Sequence, residues 1–275
     1  MQQTIVIKFG SSSLVSPDHT LSPSKMIEFV RQIAELLKEG HRIVLVSSGA
    51  IAAGKGGLPY SSLSSLPTKQ MYASIGQVHL MQTWAKLFEI YEIPIGQVLL
   101  TREDFADPRR TQNAANTFEA LLSHQILPIV NENDTVSTEE ICLGDNDHLS
   151  AQVARLIKAQ HLILLTDQEG LYTADPRFHS HAELIQTVET IDEKINSCAK
   201  TTPEKGVGTG GMQTKIEAAK LAREQGISTV IASSHHPDIL LKLMRGEKIG
   251  TFFPPKTTLT KFTYEIPSTE SQRSE

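Results

Sequence analysis

A chain of 275 residues equals roughly 1.8 domains of ordinary size. It can bury a sizeable core, which excludes disulfide- or metal-stapled miniproteins. Lys and Arg number 26 against 31 Asp and Glu, a net charge of −5, which spreads no basic footprint for nucleic acid or an anionic membrane surface. With 39% hydrophobic and only 21% charged residues, the chain is globular rather than disordered, and any anionic ligand must be held locally.

Short aliphatic runs alternate with longer amphipathic ones. Thr4 to Phe9 is a strand without polar alternation, the mark of burial on both faces. A helix follows, with Ser22 as cap, Pro23 at its first position, an apolar face of Met26, Ile27, Val30, Ile33, Ala34 and Leu37, and Gly40 at its end. Then come a strand at Ile43 to Val46, a helix at Lys69 to Tyr91, a strand at Ile95 to Leu100, a helix at Thr111 to Leu122 and a strand at Ile126 to Val130. After Asn131 the rhythm breaks into an expected hairpin through Val136 and Ile141, then resumes with a helix from Asp147 to Ala159 and a strand from Leu162 to Thr166. A helix at Met212 to Gln225, a strand at Thr229 to Ala232, a helix at Pro237 to Met244 and a strand at Ile249 to Phe253 complete the pattern. Repeated βαβ units predict one three-layer α/β/α domain over residues 1–255 with a mainly parallel central sheet. Residues 256–275 read as a polar tail, frayed from Ser268.

Cys142 and Cys198 lack CxxC spacing, which suits a reducing compartment. Met1 to Thr4 open no signal segment, and the longest apolar runs are strand-sized. The expectation is a soluble cytoplasmic protein with no membrane or nucleic-acid partner.

Ligands of open parallel sheets bind beyond the C-terminal strand ends, and four such places carry unusual residues. Lys8 ends an apolar strand before Gly10-Ser11-Ser12-Ser13; taken alone, it reads as a lysine snorkelling to water. Ser47-Ser48-Gly49-Ala50 leads a strand into a helix and would aim free N–H groups at an anion, although an ordinary tight turn has the same residues. Asn131-Glu132-Asn133-Asp134 and Gly144-Asp145-Asn146-Asp147 concentrate amides and carboxylates at one edge, as a polar small-molecule pocket would. Asp147 could equally be a helix cap.

Gly206 to Lys215 opens a helix with four glycines in six residues. Gly206, Gly208 and Gly211 satisfy G-x-G-x-x-G, but Lys200 to Lys205 is no strand, so a dinucleotide fingerprint fails on context, as does a Walker A loop on spacing. What remains is a phosphate cradle of backbone N–H groups with Lys215 adding a full charge. His235-His236 and His179-x-His181 lack a third metal ligand and read as solvent-exposed. Trp84, Met81 and Phe88 read as core.

Two lysines, two glycine-rich turns and clustered carboxylates and amides point to phosphoryl transfer from a nucleotide to a small polar acceptor. Val6 to Ser11, Ser47 to Ile51, Asn131 to Asp134, Gly144 to Asp147, Thr166 to Tyr172 and Gly208 to Met212 together resemble the amino-acid kinase family, motif after motif from about Thr4 to Phe253. More narrowly they resemble its members that phosphorylate free glutamate. The resemblance implies ATP-dependent conversion of L-glutamate to L-glutamyl 5-phosphate, the first step of proline biosynthesis, with feedback by proline. It implies that Lys8 and Lys215 neutralise the transferring phosphoryl group while Asp147 holds them in place.

Ser48, Gly49, Asn131, Asp134, Asp145 and Asn146 would bind the amino acid. Lys8, Thr166, Asp167, Thr209, Gly210, Gly211, Met212, Gln213, Thr214 and Lys215 would bind ATP, with the nucleotide half starting near residue 160. Mg²⁺ would be held mainly by ATP phosphates, with no protein metal site. The implied partners are glutamate, ATP, a homo-oligomeric assembly and a glutamyl phosphate reductase. Many bacterial members carry an additional C-terminal domain of RNA-modification-enzyme type, and the expectation here is a form without it.

Overall fold

The computed structural model describes residues 1–16, 20–56, 65–136, 146–200 and 211–256. Seven strands form one sheet in the order β3-β4-β2-β1-β5-β6-β7: β1 (Thr4–Phe9), β2 (Arg42–Ser47), β3 (Ile95–Leu100), β4 (Leu127–Glu132), β5 (His161–Thr166), β6 (Ser228–Ser233) and β7 (Thr251–Phe253). All neighbours are parallel except β6 and β7. β7 begins later than the predicted Ile249 because Gly250 has φ +80°, and a Cβ there would lie 2.2 Å from the Ile231 carbonyl oxygen.

Both faces of the sheet are covered, as the unbroken apolar runs require. Alternate residues of each strand point to opposite sides. Ile5, Ile7 and Phe9 join Ile43, Leu45, Ile163 and Leu165 in one cluster with Phe29, Val30, Leu80 and Trp84. These last come from α2 (Pro23–Lys38) and α4 (Leu66–Glu89). Val6 joins Val44, Val46, Leu162 and Leu164 in the other cluster, with Val153 of α7 (Asn146–Leu156) and Ile216 of α9 (Met212–Glu224). Lys8 has the parity of Val6, so it emerges at the C-terminal end of β1 on the face covered by α7 and α9. Burying each large aliphatic or aromatic side chain contributes about 1.5–3 kcal/mol, ample to hold one lysine inside if its charge is matched.

Helix starts move outward from the periodicity wherever a cap lies upstream. α4 begins three residues before the predicted Lys69, with the Ser65 side chain accepting from the Thr68 N–H and Pro67 in the first turn. α6 (Pro108–Ser123) likewise starts early, because Asp107 accepts from the Arg109 and Arg110 N–H groups at 2.8 and 3.0 Å. Ser22 precedes Pro23 as predicted but caps nothing with its side chain. Gly40 ends α2 with φ +88°, and Lys158, at φ +53°, follows the end of α7.

The helix expected after Ser47-Ser48-Gly49 is α3 (Ala50–Lys55), whereas the periodicity did not predict the short helices α1 (Ser11–Leu14), α5 (Arg102–Ala106) and α8 (Glu193–Lys200). α10 (Ile239–Met244) starts two residues later than expected, after Asp238 at φ +57°. The expected hairpin falls largely, and the frayed tail wholly, outside the described residues. Among the described residues no helix is long and apolar enough to cross a membrane.

Candidate functional site

The chain runs from the central β1 outward through β2, and β5 pairs with the opposite side of β1. The C-terminal ends of β1 and β5 therefore flank the place where strand order reverses, the preferred position for a ligand crevice in such sheets. Lys8 stands at this point. Its ammonium lies 2.6 Å from Asp147 Oδ1, and Lys215 Nζ lies 3.4 Å from Asp147 Oδ2. Two cations separated by more than two hundred residues thus meet on one carboxylate.

Asp147 is fully buried, and Lys8 and Lys215 are 4% and 3% exposed. Thr214 donates its hydroxyl to Asp147 Oδ2 at 2.7 Å, and Lys215 also reaches the Gly211 carbonyl at 3.4 Å. Burial alone would raise the Asp147 carboxyl. The charges of Lys8 and Lys215, with hydrogen bonds from Lys8 and Thr214, outweigh it and bring the pKa down to about 2. Asp147 is therefore a charge anchor rather than a helix cap, placed in the first turn of α7, where the helix dipole also favours an anion.

A second cluster adjoins the first through Asn146. Its Nδ2 donates to Ser48 Oγ at 2.8 Å and to Asn131 Oδ1 at 2.9 Å. Asn131, at the end of β4, donates its own Nδ2 to Gln77 Oε1 of α4 at 2.8 Å. Gln77 was not singled out from the sequence, because it is one of three glutamines in a 24-residue helix and carries no spacing signal. Its neighbour Gly76 is the clue. A Cβ at Gly76 would fall 1.7 Å from the Ala50 carbonyl, and one at Gly54 would fall 2.0 Å from the Tyr72 carbonyl. These two glycines let α3 and α4 cross in backbone contact. α3 itself starts after Gly49, whose φ of +104° turns the chain sharply away from β2. Trp84 Nε1, deep in the core, donates to Ser47 Oγ at 3.0 Å and ties α4 to the same strand end.

Asp134 lies in the turn after β4, partly buried; burial first, then the Glu132 charge, pushes its carboxyl up to about 7. Thr166 is buried at the end of β5 and donates to Asp167 Oδ1 at 3.1 Å. Next to it, Gly10 N–H reaches the Leu165 carbonyl at 3.3 Å, so the turn after β1 and the end of β5 are joined. Met212 is 3% exposed and belongs to the core, so its side chain is a packing group beneath the site. Gln213 donates to Glu217 on its own helix at 2.9 Å. Asp145, Thr209 and Gly210 lie outside the described residues. His179, His181 and His235 are exposed, while His236 pairs with Glu169 at 2.5 Å.

Glutamate 5-kinase of Shewanella oneidensis is 50% identical over 250 residues, 90% of this chain and 67% of that protein. Glutamate 5-kinase of Pasteurella multocida is 48% identical over 254 residues, 92% of this chain and 69% of its own. Carbamate kinase from Giardia lamblia, solved with AMP-PNP, superposes with a TM-score of 0.64 at 12% identity, covering 92% of this chain and 98% of that one; it supports the fold alone. The amino acid kinase family matches residues 3–233, a span that holds Lys8, Asp147 and Lys215 together with six of the seven strands, and the chain belongs to that family.

Proposed function

We propose that the chain transfers the γ-phosphoryl group of ATP to the side-chain carboxylate of L-glutamate, forming L-glutamyl 5-phosphate and ADP at the entry to proline synthesis. The observation that carries this reading is the pair of buried ammonium groups, Lys8 and Lys215, meeting on Asp147. The glutamate 5-kinases at about half identity supply the acceptor.

A glutamate side chain has a reference pKa of about 4.3 and is ionised at neutral pH, so the nucleophile needs no general base. One carboxylate oxygen attacks the γ-phosphorus, the bond from that phosphorus to the bridging oxygen breaks, and ADP departs with the electron pair. The difficulty is electrostatic, since an anion must approach a polyanion. Lys8 and Lys215 answer it with positive charge fixed before reaction, where the non-bridging oxygens gather charge.

Asp147 is the lysines' positioning group. Its two oxygens are engaged by Lys8, Lys215 and Thr214, and among the described residues no group of three or more His, Cys, Asp or Glu could hold a metal ion. With both Asp147 oxygens taken up by ammonium and hydroxyl groups, Mg²⁺ would be carried on the ATP phosphates and neutralise their charge there.

In this reading residues 1–255 form the kinase domain. Ser48, Gly49, Asn131, Asp134, Asp145 and Asn146, from the first half, take the amino acid. From about residue 160 onward, Thr166, Asp167 and Thr209 to Lys215 take ATP. The product is a mixed anhydride prone to hydrolysis and cyclisation, so a reductase that consumes it is the expected partner of a homo-oligomeric enzyme.

Incubating the protein with Mg-ATP, hydroxylamine and one carboxylic acid at a time tests the assignment. Acyl hydroxamate forming with glutamate and not with aspartate or N-acetylglutamate supports it. Hydroxamate from another acid, or from none, overturns it.

A further inference from the structure

We infer that Gln77 is a substrate-binding and specificity-determining residue, its amide N–H donating to the α-carboxylate of the bound amino acid. The inference deepens the glutamate kinase reading and rests on it. It follows from the hydrogen-bond directions in the amide cluster. Asn131 Oδ1 accepts from the Glu132 N–H at 2.9 Å and from Asn146 Nδ2 at 2.9 Å, so Asn131 Nδ2 must face Gln77, whose Oε1 accepts it at 2.8 Å. Asn146 Nδ2 gives its two protons to Asn131 and Ser48.

Every amide orientation is thereby fixed, and two atoms are left over. Asn146 Oδ1 and Gln77 Nε2 are both buried with no hydrogen-bond partner. One is an acceptor and the other a donor. A buried polar group left unsatisfied is costly, and two of opposite kind in a single linked cluster call for a ligand that carries both a donor and an acceptor.

A free α-amino acid is such a ligand. Its ammonium satisfies the Asn146 oxygen, and its α-carboxylate accepts from Gln77. The close crossing of α3 and α4 at Gly54 and Gly76 holds Gln77 at the pocket with little freedom to retreat.

Gln77→Glu and Gln77→Leu separate this role from mere support of Asn131. A glutamate at position 77 can still accept from Asn131 but offers the α-carboxylate a negative oxygen instead of a donor. Steady-state kinetics should give a glutamate KM raised by about 10–100-fold in Gln77→Glu, the range of a hydrogen bond to a charged group, with the ATP KM within about twofold. Gln77→Leu should raise it as well and should narrow the preference for glutamate over its α-amide, isoglutamine.

A glutamate KM in Gln77→Glu equal to that of the parent, with Gln77→Leu alone impaired, overturns the inference and leaves Gln77 as a prop for Asn131. An ATP KM that rises in parallel with the glutamate KM overturns it too. If the parent protein forms no glutamyl hydroxamate, the kinase reading falls first and this inference with it. Hydroxamate from the parent with unaltered kinetics in both variants sinks only the Gln77 assignment.

Discussion

The lysine junction and the amide pocket lie side by side and are built on opposite principles. At the junction Asp147 is fully buried and both oxygens are engaged, by Lys8, Lys215 and Thr214. The charges are fixed before any nucleotide arrives. In the amide pocket the groups are neutral and the hydrogen bonding is incomplete, with Asn146 Oδ1 and Gln77 Nε2 left over. On the proposed reading, the first region would carry the chemistry and the second the selectivity. A preorganised charge cluster lowers a barrier because nothing has to reorganise when charge develops. An incomplete neutral cluster selects a ligand, since the wrong one leaves buried groups unpaired.

Breaking the junction should have the largest effects. Asp147→Ala removes the carboxylate from two buried ammonium groups, and leaving such charges uncompensated costs about 3–5 kcal/mol; urea denaturation should show that loss. Lys8→Ala and Lys215→Ala each remove one cation and leave the other paired, so the fold should persist while turnover falls by roughly 10²–10³. Near-normal turnover in either purified variant would rule out its assigned role.

The scaffold between the two regions comes next. Gly76→Ala places a methyl against the Ala50 carbonyl, and an overpacked contact of this kind costs about 1–3 kcal/mol. Because the shift is felt at Gln77, the glutamate KM should rise while the ATP KM stays put; equal changes in both would detach α4 from the pocket.

The smallest expected effect is one of pH. The Asp134 carboxyl, raised by burial and by Glu132 to about 7, is mostly neutral at pH 6 and mostly ionised at pH 8. If Asp134 faces the substrate ammonium, as proposed, its ionised form would hold it better and the glutamate KM should fall with rising pH across this window, by up to roughly tenfold. Asp134→Asn should flatten the profile. A profile unchanged in the variant would take Asp134 out of the pocket.

How much of this was legible in the residues follows the same division. The sheet was, since Thr4–Phe9 and Leu162–Leu165 can be apolar throughout only if both faces are covered. Lys8 stood out by interrupting such a run, and Lys215 by following glycines into a helix. Their meeting on Asp147 was not derivable from spacing, because it depends on β1, α7 and α9 sharing one face; it came from family resemblance.

Asn146 and Asn131 were visible as members of polar clusters at strand and helix ends. Gln77 was not, for its role depends on a helix crossing set by Gly54 and Gly76, residues that look unremarkable in a helical run. The missed helices α1, α5 and α8 are four to eight residues long, too short to display a period of 3.6. Helix starts were missed where capping by Ser65 or Asp107 outweighed apolar periodicity.

The most direct test of the central claim is a crystal structure of the chain with ADP, Mg²⁺, glutamate and aluminium fluoride, which mimics the phosphoryl group in flight. The account predicts both the Lys8 and the Lys215 ammonium within about 3 Å of the planar fluoride ligands, with Asp147 behind them. A complex in which either ammonium contacts Asp147 alone and makes no contact with the fluoride would contradict it.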